Sequence, residues 1–427
     1  MNDIHIPMLL NFTCSNFRSF RDEQSFSMLP GSTKNHQSHM IAHGDTDLLS
    51  VSAIFGANAS GKSNIYRAMR FSRDFILGLP IDKRSYFRLN PEYKEKPSTF
   101  EYEISVDGRL YRYGFQVVIS QRRVEAEWLW RISDKESVED ELIYQRPLDA
   151  DSFPLSFIRL KRRISKFLIL TLADELRRNK DPRVAELLAV RRWFEKNLRI
   201  IGTQDSYVTE IDYTPEQCKE LGRLLSDFDV GIYGTEFQLV KDVYFLNEDD
   251  SAIGQYVNFS EHYITKNERA MTKKESRDAD YKEGRWTLLN NHGRDDEQFL
   301  WFDESDGTRR LMDLAPMIIS QESDITYVVD ELDRSLHPMV VYEFVRRFAS
   351  NRFNGPLKQL IFTTHQTCLL DQELLRRDEV WFVQKMRDGH SELYSLDDYK
   401  ERFDKNIEKM YLGGRYDAIP RITRGDL

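Results

Sequence analysis

The chain has 427 residues, 40% of them apolar, and its 61 Lys and Arg against 70 Asp and Glu give a net charge of −9. That balance excludes a generally basic, nucleic-acid-coating protein, and an aromatic share of 12% excludes general disorder. Cys14, Cys218 and Cys368 form no CxxC pair, so a reducing compartment is expected. The first residues carry no basic region followed by an apolar stretch, and no apolar run approaches the roughly 20 residues of a membrane helix. The expectation is a cytoplasmic protein with no membrane partner.

The first third reads as strands: Leu9 to Phe20, Leu48 to Phe55, Thr99 to Ser105 and Leu110 to Ile119. Asp107-Gly108 between the last two is a hairpin turn. Leu155 to Ile201 has helical periodicity. From Leu155 to Thr203 there are 13 Lys and Arg against 5 Asp and Glu, a local +8. Thr214 to Phe228 opens with Thr-Pro-Glu-Gln, an N-cap with proline at the first helical position. Thr265 to Arg285 is dense in both signs of charge with little to bury and reads as an exposed insertion. The last third alternates: strands at Asp324 to Val329 and Lys358 to Phe362 flank a helix at Val340 to Ser350, and strands at Glu379 to Val383 and Glu392 to Leu396 follow. Such an order belongs to a mainly parallel sheet with crossover helices. Four segments follow: a lobe at 1–150, a basic helical insertion at 151–235, a mixed insertion with a charged loop at 236–298, and a lobe at 299–427.

The sharpest motif is Gly56-Ala57-Asn58-Ala59-Ser60-Gly61-Lys62-Ser63, which follows a predicted strand and opens a predicted helix at Asn64 to Phe71. The spacing fits GxxxxGK[ST]: two glycines let the backbone wrap a phosphate, Lys62 reaches the β- and γ-phosphates, and Ser63 ligates Mg2+. An apolar strand later delivers Asp330 and Glu331 at its carboxyl end. There Asp330 would bind Mg2+ through water and Glu331 would orient and polarise an attacking water. A turn with a chance lysine and an acidic pair capping a helix are the bland alternatives. The two motifs together in this order favour the nucleotide reading.

Lys62 and Asp330 are 268 residues apart, and no NKxD-type guanine reader is present. A long insertion between the two motifs resembles the habit of ABC-type ATPases, including the SMC-like branch. Further segments carry the resemblance. Glu304-Ser305-Asp306-Gly307-Thr308-Arg309-Arg310, before an apolar helix at Leu311 to Ile319, is similar to the ABC signature, with Glu in place of Leu and Thr-Arg at its end. Thr363-Thr364-His365 at a strand end resembles the switch histidine, and Leu332 to Pro338 occupies the D-loop position. Asn16-Phe17-Arg18-Ser19-Phe20 resembles the NF[RK]SF opening of SMC-like ATPases. The resemblance implies an α/β ABC-type head with a mainly parallel sheet, an N-terminal antiparallel portion and a helical insertion. It also implies ATP and Mg2+ as ligands, Arg18 reaching the nucleotide, and a dimer sandwiching ATP between each phosphate loop and the partner's Ser-Gly signature, here Ser305 and Gly307. Gln116, Gln121 and Gln145 all remain open as the Q-loop glutamine.

More narrowly, the Asn-Ala-Ser-Gly-Lys-Ser, Asp-Glu-Leu-Asp-Arg-Ser-Leu-His-Pro and Tyr411-to-Pro420 segments resemble bacterial ATPases of the overcoming-lysogeny-defect and RloA/AbiL type, the neighbourhood of the PARIS anti-phage ATPase. The resemblance implies phage defence beside a Toprim-type nuclease or another toxin. Only 62 residues follow His365, so a Toprim site is expected on a separate effector. The alternative is a DNA-engaged SMC-like repair or maintenance ATPase using the basic block from Arg159 to Arg199. A third reading is a scaffold whose nucleotide is structural.

Overall fold

A computed structural model describes residues 6–33, 35–44, 47–133, 138–147, 163, 167–177, 180–203, 205, 215–240, 285–293, 298–300, 303–350, 356–399 and 406–419. In chain order the strands and helices are β1 (Leu9–Ser15), β2 (Gln24–Ser27), β3 (Met40–Ile41), β4 (Leu48–Leu49), β5 (Val51–Phe55), α1 (Ser63–Ile76), β6 (Ser98–Val106), β7 (Arg109–Val118), β8 (Arg123–Ile132) and β9 (Glu141–Arg146). Then come α2 (Pro182–Arg192), β10 (Leu198–Ile201), α3 (Pro215–Asp227), β11 (Gly234–Val240), β12 (Arg285–Asn291), β13 (Gln298–Leu300) and α4 (Asp306–Leu314). Last are β14 (Ile325–Val329), α5 (Pro338–Ser350), β15 (Lys358–Thr363), β16 (Val380–Lys385), β17 (Ser391–Ser395) and α6 (Ile407–Leu412). The chain forms two compact units: residues 1–203, 322–333 and 342–427 make the first, residues 204–321 and 334–341 the second.

Two six-stranded sheets build the first unit. One runs in the order β10-β14-β15-β5-β16-β17, parallel except for β17. Every residue of β5, β14 and β15 is buried, the pattern of strands covered on both faces. The other sheet, β2-β1-β6-β7-β8-β9, is antiparallel, and β6 alternates buried and half-buried residues along most of its length. Helix α1 shares one apolar core with both: its Ile65, Met69 and Phe75 cluster with Phe100, Tyr102 and Phe115 of the antiparallel sheet and with Ile54, Val328 and Ile361 of the parallel sheet. The α/β architecture expected from the sequence is met.

A buried carboxylate pairs with β9 and ties the segment after it to the antiparallel sheet. Glu127 of β8 is fully buried; it accepts hydrogen bonds from the Tyr113 hydroxyl at 2.8 Å and the Ile169 amide at 2.9 Å, and pairs with Arg146 at 3.2 Å. Removing one partner of such a pair leaves a buried charge uncompensated. Glu127→Ala is therefore expected to cost about 3–5 kcal/mol of stability, read as a lowered midpoint in chemical denaturation.

The second unit holds the three-stranded antiparallel sheet β11-β12-β13 together with α3 and α4. Helix α3 occupies the span predicted from Thr-Pro-Glu-Gln, although Thr214 itself lies outside the described residues.

Three predicted elements differ. The helical reading of Leu155 to Ile201 ends early: after α2 and the π-helical turn Trp193–Asn197, Leu198–Ile201 pairs in parallel with β14 as an edge strand. Its apolar run is claimed by the sheet rather than by helix propensity. The strand predicted over Leu48 to Phe55 is two strands, because Leu48–Leu49 pairs with β3 while Val51–Phe55 enters the parallel sheet. The helix expected at Leu311 begins at Asp306, since Ser305 caps it, and Pro316 opens a separate turn at Pro316–Ile319. The charged insertion lies outside the described residues up to Arg285, which starts β12. Arg159, Lys161 and Arg162 of the basic block also lie outside them. Among the described residues no helix is long and apolar enough to cross a membrane.

Candidate nucleotide-binding site

Neighbouring parallel strands β14, β15 and β5 end side by side. Their carboxyl ends deliver Asp330 and Glu331, then Thr364 and His365, then the Gly56–Ser63 loop. Open α/β sheets bind ligands at this edge.

The loop is wound so that neither of its two glycines could carry a side chain. Gly56 has φ +153°, and a Cβ there would lie 2.4 Å from the Val383 carbonyl. Gly61 has φ +111°, and a Cβ would lie 2.6 Å from the hydroxyls of both Ser19 and Ser391. Ala59 also takes a left-handed conformation, with φ 61°. Ser63 opens α1, so the helix N-terminus with its positive dipole end adjoins the loop, and the Asn64 and Ile65 amides donate back to the Gly61 and Lys62 carbonyls. Lys62 is buried; its ammonium donates to the carbonyls of Gly56 at 2.7 Å and Ala57 at 3.0 Å and lies 3.5 Å from His365 Nδ1. Burial pulls its pKa down to about 8, against the opposing fields of Asp333, Glu331 and Asp330. Among the described residues no carboxylate lies within ion-pair distance of this ammonium, and the buried Ser60 hydroxyl has no hydrogen-bond partner. A buried cation beside a glycine cradle and a helix N-terminus fits a polyphosphate.

The acids are held by β15. The Thr363 hydroxyl donates to Asp330 Oδ1 at 2.7 Å and accepts from the Glu331 amide at 2.8 Å. Glu331 sits at φ +48°, a conformation that bulky L-residues rarely adopt and that active sites retain. The His365 amide donates to Asp333 Oδ2 at 3.2 Å, which fixes the turn after β15 against the loop after β14. Burial, then the nearby Lys62 charge, lowers the His365 pKa below its ordinary value, so a neutral imidazole faces the site at pH 7.

Arg18 lies in the tight turn Phe17–Phe20, at φ +50°, with its amide on the Ser85 carbonyl at 2.7 Å and its guanidinium 4.0 Å from Asp82. Burial and the like charges of Arg67 and Arg88 lower its pKa. The next residue, Ser19, joins this turn to the phosphate loop. Its hydroxyl accepts from the Asn64 side-chain amide at 2.6 Å and donates to the Ser391 hydroxyl at 2.8 Å, and Ser391 in turn donates its one proton to the Ser60 carbonyl. Ser19 is marked in the sequence only as a member of the motif that offers Arg18, and Ser391 not at all; Ser391 is 331 residues from Ser60, and no local pattern reports such a contact. Gln116 lies on β7 and Gln145 on β9, while Gln121 donates to Glu95 from the turn Ile119–Gln121.

Within the second unit, Ser305 caps α4. Its hydroxyl accepts from the Thr308 amide at 3.1 Å. Gly307 lies in the first turn, and a Cβ there would come 2.7 Å from the Ser335 carbonyl, so the turn at Ser335, ahead of α5, packs directly on the glycine. Glu304, which departs from the usual leucine, is buried; Asn290 Nδ2 donates to its Oε1 at 2.9 Å, and His292 Nε2 lies 2.9 Å from the same atom. These partners satisfy a carboxylate where an apolar side chain is usual, and they anchor the residue before Ser305 to β12.

A search of curated proteins finds no match. Three solved structures are similar over most of the chain. One is an SMC head bound to the C-winged helix domain of ScpA, with 14% identity, 91% of this chain, 97% of that one and TM-score 0.43. Another is the SMC head domain from Thermotoga maritima, with 15% identity, 91% of this chain, 98% of that one and TM-score 0.36. A third is an SMC head domain with an extended coiled coil bound to the C-terminal domain of ScpA derived from Pyrococcus furiosus, with 15% identity, 96% of this chain, 100% of that one and TM-score 0.42. A family profile described as "AAA domain, putative AbiEii toxin, Type IV TA system" matches residues 51–371, which span the phosphate loop, the Asp330-Glu331 pair and His365. With that match covering most of its length, the chain belongs to this family of AAA domains.

Proposed function

We propose that the protein is an ATP-hydrolysing, ABC-type switch of the SMC-like branch that acts in bacterial anti-phage defence by controlling a separately encoded effector, a Toprim-type nuclease or another toxin. The observation that carries the reading is the convergence of Lys62, Asp330, Glu331 and His365 at three adjacent strand ends, around a buried cation with no carboxylate partner among the described residues. The family description, with its toxin–antitoxin context, supports the defence role. The tail from Tyr411 and the D-loop sequence support the overcoming-lysogeny-defect and RloA/AbiL neighbourhood.

In this reading Gly56 to Ser63 and Asn64 hold the phosphates of Mg-ATP, with Lys62 as counter-charge and Ser63 and Asp330 toward the metal ion. Glu331 orients the attacking water, and His365 reports the γ-phosphate. Ser305 and Gly307 complete the site of a partner protomer, so ATP joins two heads and hydrolysis releases them. ATP occupancy becomes subunit geometry, which an effector can read.

A directly DNA-engaged ATPase is the weaker reading. Among the described residues of the basic block, Arg163, Arg177, Arg183, Arg191 and Arg192 pair with carboxylates, and Arg199 pairs with Glu322. Arginines so engaged offer phosphates less than the raw charge count implies.

Subunit mixing tests the composite site. Lys62→Ala and Ser305→Ala protomers are each expected to lack turnover. Their mixture is expected to recover activity, because a heterodimer contains one intact pairing of phosphate loop and signature. No recovery, with heterodimers demonstrated by mass, would contradict the sandwich.

A further inference from the structure

The tail motif that begins at Tyr411 has no part in the site described so far, yet it packs beside it. Helix α6 starts at Ile407, capped by Asn406, whose side chain accepts from the Lys409 amide at 2.7 Å. It ends in a Schellman arrangement: Gly414 has φ +81°, its amide donates to the Tyr411 carbonyl, and the Arg415 amide donates to the Met410 carbonyl. The Leu-Gly-Gly-Arg run is thus a helix stop that turns the chain back. Tyr411 and Tyr416 then both stack on Phe382 of β16, at centroid distances of 5.5 and 5.1 Å. Tyr411 also meets Phe55 edge-on at 6.4 Å. Phe55 is the last residue before the phosphate loop. Tyr394 donates to the Tyr416 carbonyl, and Tyr411 donates to the Ala418 carbonyl, which closes the tail over this aromatic stack.

The same helix reaches the other side of the site. The Thr367 hydroxyl donates to Glu408 Oε1 at 2.7 Å. Thr367 opens the turn Thr367–Leu369, two residues after His365. The His365 turn is therefore held at both ends, by Asp333 through the His365 amide and by Glu408 through Thr367.

We propose that α6 and the tail after it are a positioning element for the nucleotide site, with Glu408 acting through Thr367 to hold the turn that carries His365. The inference deepens the ATPase reading and rests on it for its kinetic readout. Glu408 touches no reacting group; its role is to fix where the His365 imidazole sits relative to the Lys62 ammonium, while the tyrosines hold the strand end that feeds the phosphate loop. One hydrogen bond at this position is worth a several-fold change in rate if it is needed for alignment.

The test uses Thr367→Val, which keeps shape and loses the hydroxyl, and Thr367→Ser, which keeps it. Glu408→Ala and Glu408→Gln form the matching pair, since the glutamine carbonyl still accepts. Steady-state ATP hydrolysis by the full chain is expected to show kcat lowered about fivefold to tenfold in Thr367→Val and Glu408→Ala, with KM and the thermal midpoint unchanged and near-complete rescue in the Ser and Gln variants. A second readout needs no turnover. The His365 imidazole resonance of nucleotide-free protein is expected to titrate closer to its ordinary pKa in Thr367→Val, as the released turn gains solvent. Unchanged kcat in Thr367→Val, or failure of Thr367→Ser to rescue, overturns the proposal, as does an unmoved His365 titration. A wild-type protein that binds but does not hydrolyse ATP contradicts the ATPase reading alone, and the titration then still decides the positioning role.

Discussion

Glu331→Gln is expected to lower ATP turnover by about two to four orders of magnitude and to leave Mg-ATP bound. The substitution keeps size and shape and removes only the carboxylate that we propose accepts from the attacking water. Its backbone amide still donates to the Thr363 hydroxyl, and Asp330 still accepts from that hydroxyl, so the strand ends keep their geometry. The left-handed backbone at Glu331 is imposed by the turn out of β14 and does not depend on the charge. Phosphate release measured beside equilibrium binding of ATP separates the two effects. A variant that turns over at the wild-type rate would remove Glu331 from the chemistry.

Lys62→Ala is expected to abolish ATP binding at working concentrations, a loss of at least two orders of magnitude for a buried, directly aimed counter-charge. The free protein should fold at least as well without it, because the ammonium is desolvated with no ion-pair partner among the described residues. The same desolvation predicts a pH effect. With a folded pKa of about 8 against an ordinary 10.5, the unfolded chain binds more protons between those values. Stability of the nucleotide-free protein therefore rises as pH climbs through that window and is insensitive to Lys62 below it. Binding has the opposite sign. ATP requires the protonated ammonium, so affinity is flat below about pH 8 and falls toward tenfold per pH unit above it. Calorimetric titration at several pH values checks the binding and thermal unfolding checks the stability; Lys62→Ala should remove its share of the rise, while buried Lys358, also pulled down to about 8, keeps its own.

The parts of the site that were legible in the sequence are those whose chemistry is local. Gly56 to Ser63 is a strand, a glycine turn and a helix start in immediate succession, and each left a mark: apolar run, glycines, then Ser63-Asn64. Asp330 and Glu331 follow a continuous apolar strand for the same reason. What could not be read depends on distant partners. Ser391 bonds the phosphate loop from β17 across hundreds of residues, and in the sequence it is an ordinary strand serine. Leu198–Ile201 sits among basic helical residues and becomes a strand only because β14 offers it an edge. Glu304 looked like a departure from the signature; Asn290 and His292, which make it tolerable, lie on and just after β12, a strand the pattern did not reveal. Strands β8 and β9 were also missed individually, because half-exposed positions such as Glu125, Trp128 and Gln145 blur the period-two alternation.

The claim on which the account turns is that one chain supplies only half of each catalytic site. Native mass of Glu331→Gln with and without Mg-ATP tests it most directly. Mg-ATP is expected to raise the mass to that of a head-to-head dimer, and Ser305→Ala in the same background is expected to prevent the rise. A mass that stays monomeric with ATP bound, in a protein whose wild-type form hydrolyses ATP at full rate as a monomer, would contradict it.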